Sequence, residues 1–182
     1  MNRLQRAAIL STLAEELLEI GSWCGETHLQ KATFFLQHML KVPTEWDFVL
    51  YRYGPFSFEL RDELTAMRAD QLLELIPMQP YGPRLLPTGQ SKTLRQRFSK
   101  TLRDYGKQIA FVAQELGTKG VTELEGLATA LFVCEFERKL RNTKQRVGRL
   151  RELKPHISKD DAKAYINRVD ELLDEVQKAG FA

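Results

Sequence analysis

Residues 46–60 read Trp46-Asp47-Phe48-Val49-Leu50-Tyr51-Arg52-Tyr53-Gly54-Pro55-Phe56-Ser57-Phe58-Glu59-Leu60. The first half, Trp46 to Tyr53, is aromatic and β-branched. It ends in alternation, Leu50 and Arg52 against Tyr51 and Tyr53, and so predicts a short strand. Gly54-Pro55 predicts a structural turn: Gly54 accepts positive φ at the strand end, and Pro55 fixes φ and lacks the N–H that would extend a ladder. Ser57 then predicts an N-cap, because Glu59 follows in a first helical turn, where the helix dipole favours an acid. Leu60, Leu64 and Met67 form the buried stripe of that helix. A strand, a turn and a helix start within one short stretch predict a mixed α+β fold.

Upstream, Leu10, Leu13, Ala14, Leu17 and Leu18 repeat at helical spacing over residues 4–20, and Gly21 ends the helix. Thr27 with Gln30 has the spacing of a capping box and predicts a second helix, apolar at Leu29, Ala32, Phe35, Leu36, Met39 and Leu40. Downstream, two apolar runs, 72–76 and 84–87, flank Pro80-Tyr81-Gly82-Pro83 and predict a β-hairpin. Helix, helix, strand, helix, hairpin is the order of a winged helix-turn-helix. After Thr88-Gly89 the pattern is helical to the end. Phe98, Leu102, Tyr105, Ile109, Val112 and Leu116 predict one long helix with Gly106 as its weak point. Thr122 with Glu125 and Ser158 with Asp161 predict two further capped starts. The fold class expected is α+β, mostly helical: a winged helix-turn-helix-like module over 1–90 and a C-terminal helical extension, 91–182, packed on it.

The chain has 182 residues, 43% hydrophobic and 28% charged, the profile of a folded domain and not of a disordered chain. No apolar run approaches the ~20 residues of a bilayer span, so no membrane is expected as a partner. The N-terminus, with Glu15 and Glu16 soon after it, is not that of a signal peptide. Only Cys24 and Cys134 are present, which fits a reduced, cytoplasmic protein. Net charge is +3 but unevenly placed. Residues 91–107 hold Lys92, Arg95, Arg97, Lys100, Arg103 and Lys107 against Asp104. Residues 138–154 hold Arg138, Lys139, Arg141, Lys144, Arg146, Arg149, Arg151 and Lys154 against Glu152. These segments carry a net +12 and leave −9 elsewhere. Such a field suits an acidic partner protein or nucleic acid, and also suits helix faces paired with acidic helices. The third helix, which a winged helix lays in the major groove, has Arg61 and Arg68 against Glu59, Asp62, Glu63 and Asp70, a charge that phosphate repels. The wing adds only Arg84.

Two stretches carry a resemblance. Leu29-Gln30-Lys31-Ala32-Thr33-Phe34-Phe35-Leu36 resembles the LQK-hydrophobic signature of the YwgA and SocA-like (Panacea) group of small bacterial proteins, and Phe48 to Leu60 resembles that group's aromatic-YGP-[FY]-S motif. Arg84-Leu85-Leu86-Pro87-Thr88-Gly89 resembles a second wing strand leading into a helix. Leu127 to Ala130 and Leu153 to Leu173 look like the group's helical tail. The resemblance implies a winged-helix-like core with a helical C-terminal region. It also implies a non-enzymatic, antitoxin-like or adaptor role in binding and occluding a partner protein. This sequence departs from the shared pattern in its more basic C-terminal helix and its proline-rich wing.

No catalytic signature occurs: GxSxG, the P-loop, HExxH and GxGxxG are all absent, so no catalytic residue and no cofactor is expected. Cys24 and His28 lack the further ligands a zinc site needs, so no metal is expected either. The candidate partner-binding residues are Tyr51, Tyr53 and Phe56, as aromatic anchors, with Lys31 reaching an acidic group. Equally, LQK and YGP read as architecture that locks helix 2, the strand and helix 3 together. The candidate basic surface is Lys92, Arg95, Arg97, Arg138, Arg141, Lys144, Arg146, Arg149 and Arg151. The expected partner is a protein such as a toxin or an operon neighbour. A second copy of the chain and, through a winged-helix regulator with basic C-terminal helices, DNA are the alternatives.

Overall fold

Asn2 opens the first helix by accepting the Gln5 N–H at 2.9 Å, while the Gln5 side chain returns to the Asn2 N–H at 3.0 Å. The computed structural model describes residues 1–80, 82–137 and 139–181. Within them the order is α1 (Arg3–Glu19), α2 (Glu26–His38), β1 (Val49–Tyr51), β2 (Gly54–Phe56), α3 (Phe58–Ala69), β3 (Leu73–Ile76) and β4 (Arg84–Pro87). Then follow α4 (Gly89–Arg97), α5 (Ser99–Leu116), α6 (Val121–Phe136), α7 (Thr143–Leu153) and α8 (Lys159–Lys178). The fold is α+β and mostly helical, with two antiparallel two-stranded sheets, β1–β2 and β3–β4. Among the described residues no helix is long and apolar enough to cross a membrane.

α2 is the central element. Every residue from His28 to Leu36 is buried, the profile of a helix enclosed on all sides. α1, α3, α5, α6 and β2 all pack against it. α1 also packs on α5; Ala7, Ala8, Ser11 and Ala14 are among the buried residues of the first, and Ile109, Val112, Ala113 and Leu116 among those of the second. α6 meets α8 closely at Gly126, where a Cβ would fall 2.3 Å from the Tyr165 ring. One apolar cluster runs from Ala7 to Val176 and draws on both sides of residue 90.

Several local expectations are corrected. α2 starts at Glu26 behind Gly25, and Thr27 caps nothing; Gln30 is buried and bonds far from its own helix start. α6 likewise starts behind Gly120, not Thr122. Gly54-Pro55 is not the turn but the returning strand, with Arg52 and Tyr53 between the two strands. The helical stretch after Thr88 divides at Phe98 into α4 and α5; the Phe98–Leu116 repeat is α5, and Gly106 lies inside it without a break. Residues 39–57, with a hairpin among them, separate α2 from α3, where a helix-turn-helix uses a three- to four-residue turn. The caps at Ser57 and Ser158 do form, and Thr88 proves to be the N-cap of α4. The β3–β4 hairpin also forms as expected, although Tyr81 in its connection lies outside the described residues.

Candidate functional site

β1 and β2 pair in the register Val49–Phe56, Leu50–Pro55 and Tyr51–Gly54. Side chains alternate across the pleat, so the hairpin has an inner and an outer face. Gly54 and Pro55 are buried against α6. At Gly54, φ is +86°, and a Cβ there would lie 2.9 Å from Thr129 Oγ1 and 3.8 Å from Lys31 Nζ. The backbone therefore approaches α6 and α2 as only glycine allows.

Three side chains pin the hairpin from within. The Gln30 amide donates to the Ser57 carbonyl at 2.9 Å and accepts the Ser57 N–H at 3.0 Å. Lys31 Nζ donates to the Pro55 carbonyl at 2.8 Å. Lys154 Nζ, at the end of α7, donates to the Arg52 carbonyl at 2.5 Å. The LQK segment and the YGP-F-S segment are thus joined by direct hydrogen bonds. Lys31, expected on a partner-binding face, is 2% exposed and sits inside the fold. Burial lowers its ammonium to about 8, against the pull of Glu125, and Lys154 pushes the same way. Burial also lowers Lys154 and raises Glu125, and the two oppose each other's shifts.

The outer face is aromatic. Tyr51, Phe56 and Phe58 form a triangle with ring centroids 5.1–6.0 Å apart. The Arg61 guanidinium covers the Phe58 ring at 5.2 Å. Val49, Tyr51, Tyr53 and Phe58 are 41%, 57%, 58% and 43% exposed. Phe58 was missed in the sequence because the first position of a helix carries no periodic signal. The Phe56–Phe58 pair straddling Ser57 was the clue available.

The basic residues divide into two groups. Arg95 pairs with Glu15 at 2.5 Å, Arg146 with Asp170 at 2.5 Å, and Arg149 with Glu137 at 2.8 Å and Glu152 at 3.1 Å. Arg95 and Arg146 thus join helix to helix, and Arg149 ties α7 to the residue that follows α6 and to its own helix. Lys92, Arg97, Arg141, Lys144 and Arg151 are exposed and join no ion pair among the described residues. Arg138 lies outside the described residues. Arg84 is not a free wing-tip cation: its guanidinium donates to the Trp23 and Ser22 carbonyls at 3.0 and 3.3 Å. On α3, Glu63 and Asp70 turn to Arg3, at 3.0 and 2.7 Å. Asp62 and Glu59 stay exposed, and Asp62 holds Arg61 at 3.1 Å. Arg61 and Arg68 line a groove that Glu26 also lines, so the outer surface of α3 is not cationic.

Cys24 and His28 face different partners. The buried Cys24 thiol is near the Ala14 carbonyl at 3.7 Å, and burial pushes it up to about 12. His28 Nε2 meets the Lys119 carbonyl at 3.1 Å. No known family model matches this chain, and no curated protein matches it.

Proposed function

We propose that the protein is a non-enzymatic interaction module that docks a partner protein on the outer face of the β1–β2 hairpin. One observation carries this reading. Eight large apolar side chains are exposed among the described residues, and four of them, Val49, Tyr51, Tyr53 and Phe58, fall within ten residues, from the β1–β2 hairpin to the first residue of α3. Clustered exposed aromatics mark interaction sites and dominate their binding energy. The hairpin is also held in place before any partner arrives, which lowers the ordering cost of association. The order α1, α2, α3, β3–β4 supports a winged-helix-like module over 1–90 with its α2–α3 connection enlarged. The coupled LQK and YGP segments support kinship with the YwgA and SocA-like group. A toxin or operon neighbour, occluded in the cytoplasm, is then the partner this reading favours.

The test is capture from the native host with wild-type and Tyr51→Ser/Phe58→Ser baits of equal melting temperature. A protein held by the wild type and lost by the variant supports the hairpin. A protein held equally by both overturns the assignment.

A DNA-binding regulator is the second reading. It is favoured by Lys92, Arg97, Lys100, Arg103 and Lys107, exposed along α4 and α5 without ion pairs among the described residues. Duplex binding that falls steeply with salt would support it. Absence of binding at low salt removes it.

A further inference from the structure

We propose that the groove between α7 and the first turns of α8 is a second binding site, built for an acidic segment of a partner protein. The groove encloses about 600 Å³ and is lined by Thr143, Lys144, Val147, Gly148 and Arg151 of α7 and by Lys159, Asp160 and Lys163 of α8. Four cations therefore converge on it against one carboxylate, and none of the four joins an ion pair among the described residues. The contrast with the rest of α7 is direct. Arg146 and Arg149 are matched within the fold by Asp170, Glu137 and Glu152, whereas Lys144 and Arg151 are left for something outside it.

Two local features run against the stability of the isolated chain. Lys159 is the first residue of α8, at the positive pole of that helix, where a cation is disfavoured. Gly148 lies within α7, where glycine weakens a helix, and nothing lies within 4 Å of where its Cβ would be. A bound anionic segment would gain from both. It would meet four positive side chains and a helix pole, over a floor that Gly148 leaves open beside the apolar Val147.

The extent of the positive field chooses the occupant. Lys144 and Arg151 are seven residues apart on one helix face, about 10 Å. Glu152 borders this stretch on α7, and Asp160 and Asp161 lie in the first turn of α8. A duplex, whose phosphates continue beyond any short patch, would run onto those carboxylates. A short segment with a few carboxylates spaced over two helical turns stays within the reach of Lys144, Arg151, Lys159 and Lys163, which outnumber Asp160 in the groove lining.

The test uses a short fluorescein-labelled helical peptide with Glu at i, i+4 and i+7, titrated at low salt with the full-length protein. Wild type should bind it. Lys144→Glu and Lys163→Glu should each weaken binding by about tenfold, while Lys100→Glu, on α5, should change it by less than about twofold. Gly148→Leu should weaken binding while the melting temperature holds or rises, because leucine is the better helix former. Absence of peptide binding overturns the proposal, and so does an equal loss in Lys100→Glu. Displacement of the peptide by duplex DNA at lower concentration than by unlabelled peptide overturns it in favour of nucleic acid. Hairpin variants should leave peptide binding unchanged, so either site can fail without the other.

Discussion

Lys31 is a buried ammonium with one hydrogen-bond acceptor, the Pro55 carbonyl, and with Glu125 of α6 and Lys154 after α7 as its charged neighbours. Its proton leaves near pH 8 in the folded chain and near 10.5 in the unfolded one. Between those values the unfolded state binds more protons, so this group's contribution raises stability as pH rises, by a total on the order of 3 kcal/mol. Cys24 works the other way above pH 9, since burial holds its thiol protonated to about 12. The comparison to make is therefore wild type against Lys31→Met by urea unfolding from pH 7 to 10.5. The variant should lose the rising component and, at pH 7, differ by no more than about 1 kcal/mol, because relief of desolvation offsets the orphaned carbonyl. Gln30→Ala has no such relief. It strands the buried N–H of Ser57, whose carbonyl keeps the Arg61 N–H at 3.1 Å, and should cost about 1–3 kcal/mol in the same assay. Tyr53→Ala, at an exposed position, should change stability by less than about 0.5 kcal/mol while weakening partner binding. An equal loss of both would return Tyr53 to architecture. Gln30 also shows where sequence pattern stops being informative. Its spacing from Thr27 matches a capping box, but the amide bonds a residue twenty-seven positions away. A local motif does not encode which long-range acceptor will be nearer.

At the scale of elements, the β1–β2 hairpin depends on Gly54. Gly54→Ala combines positive φ with a contact on Thr129 Oγ1 and should cost about 2 kcal/mol or more, read as a lowered urea midpoint. A variant as stable as wild type would show that the hairpin shifts freely on α6. The strand was legible in part. Burial alternates from Lys41 through Phe48 as a strand's would, but only Val49–Tyr51 finds a pairing partner. Alternation reports a half-buried extended chain and not the ladder beside it. The break at Phe98 was hidden for a related reason. The apolar spacing continues across it, and no polar side chain caps the new helix. Ser57 and Ser158 were legible because a capping hydroxyl acts on N–H groups two or three residues away.

Taken whole, the chain shares one apolar cluster between residues 1–90 and the helices after them. α5 covers α1 and α2 with Ile109, Val112, Ala113 and Leu116, all essentially inaccessible. A fragment of residues 1–90 would expose that surface. It should show no cooperative melt, while the full chain should unfold in a single transition by circular dichroism. A cooperative melt of the fragment would make the first ninety residues a separable module. The class of fold and the helical second half were legible from periodicity. The candidate site was legible in its aromatics and, through Gln30 and Lys31, in the reading that LQK and YGP lock α2 to the strand and α3. Lys154, more than a hundred residues from the hairpin, was not legible, because no local pattern ties it there.

That dispersed anchoring decides what can imitate the hairpin. A synthetic peptide copying residues 46–58 has the rings of Tyr51, Phe56 and Phe58 but neither lysine nor the glutamine that sets their backbone. In water it would be a poor competitor for whatever the intact surface recognises, and antibodies raised against it would select a different shape.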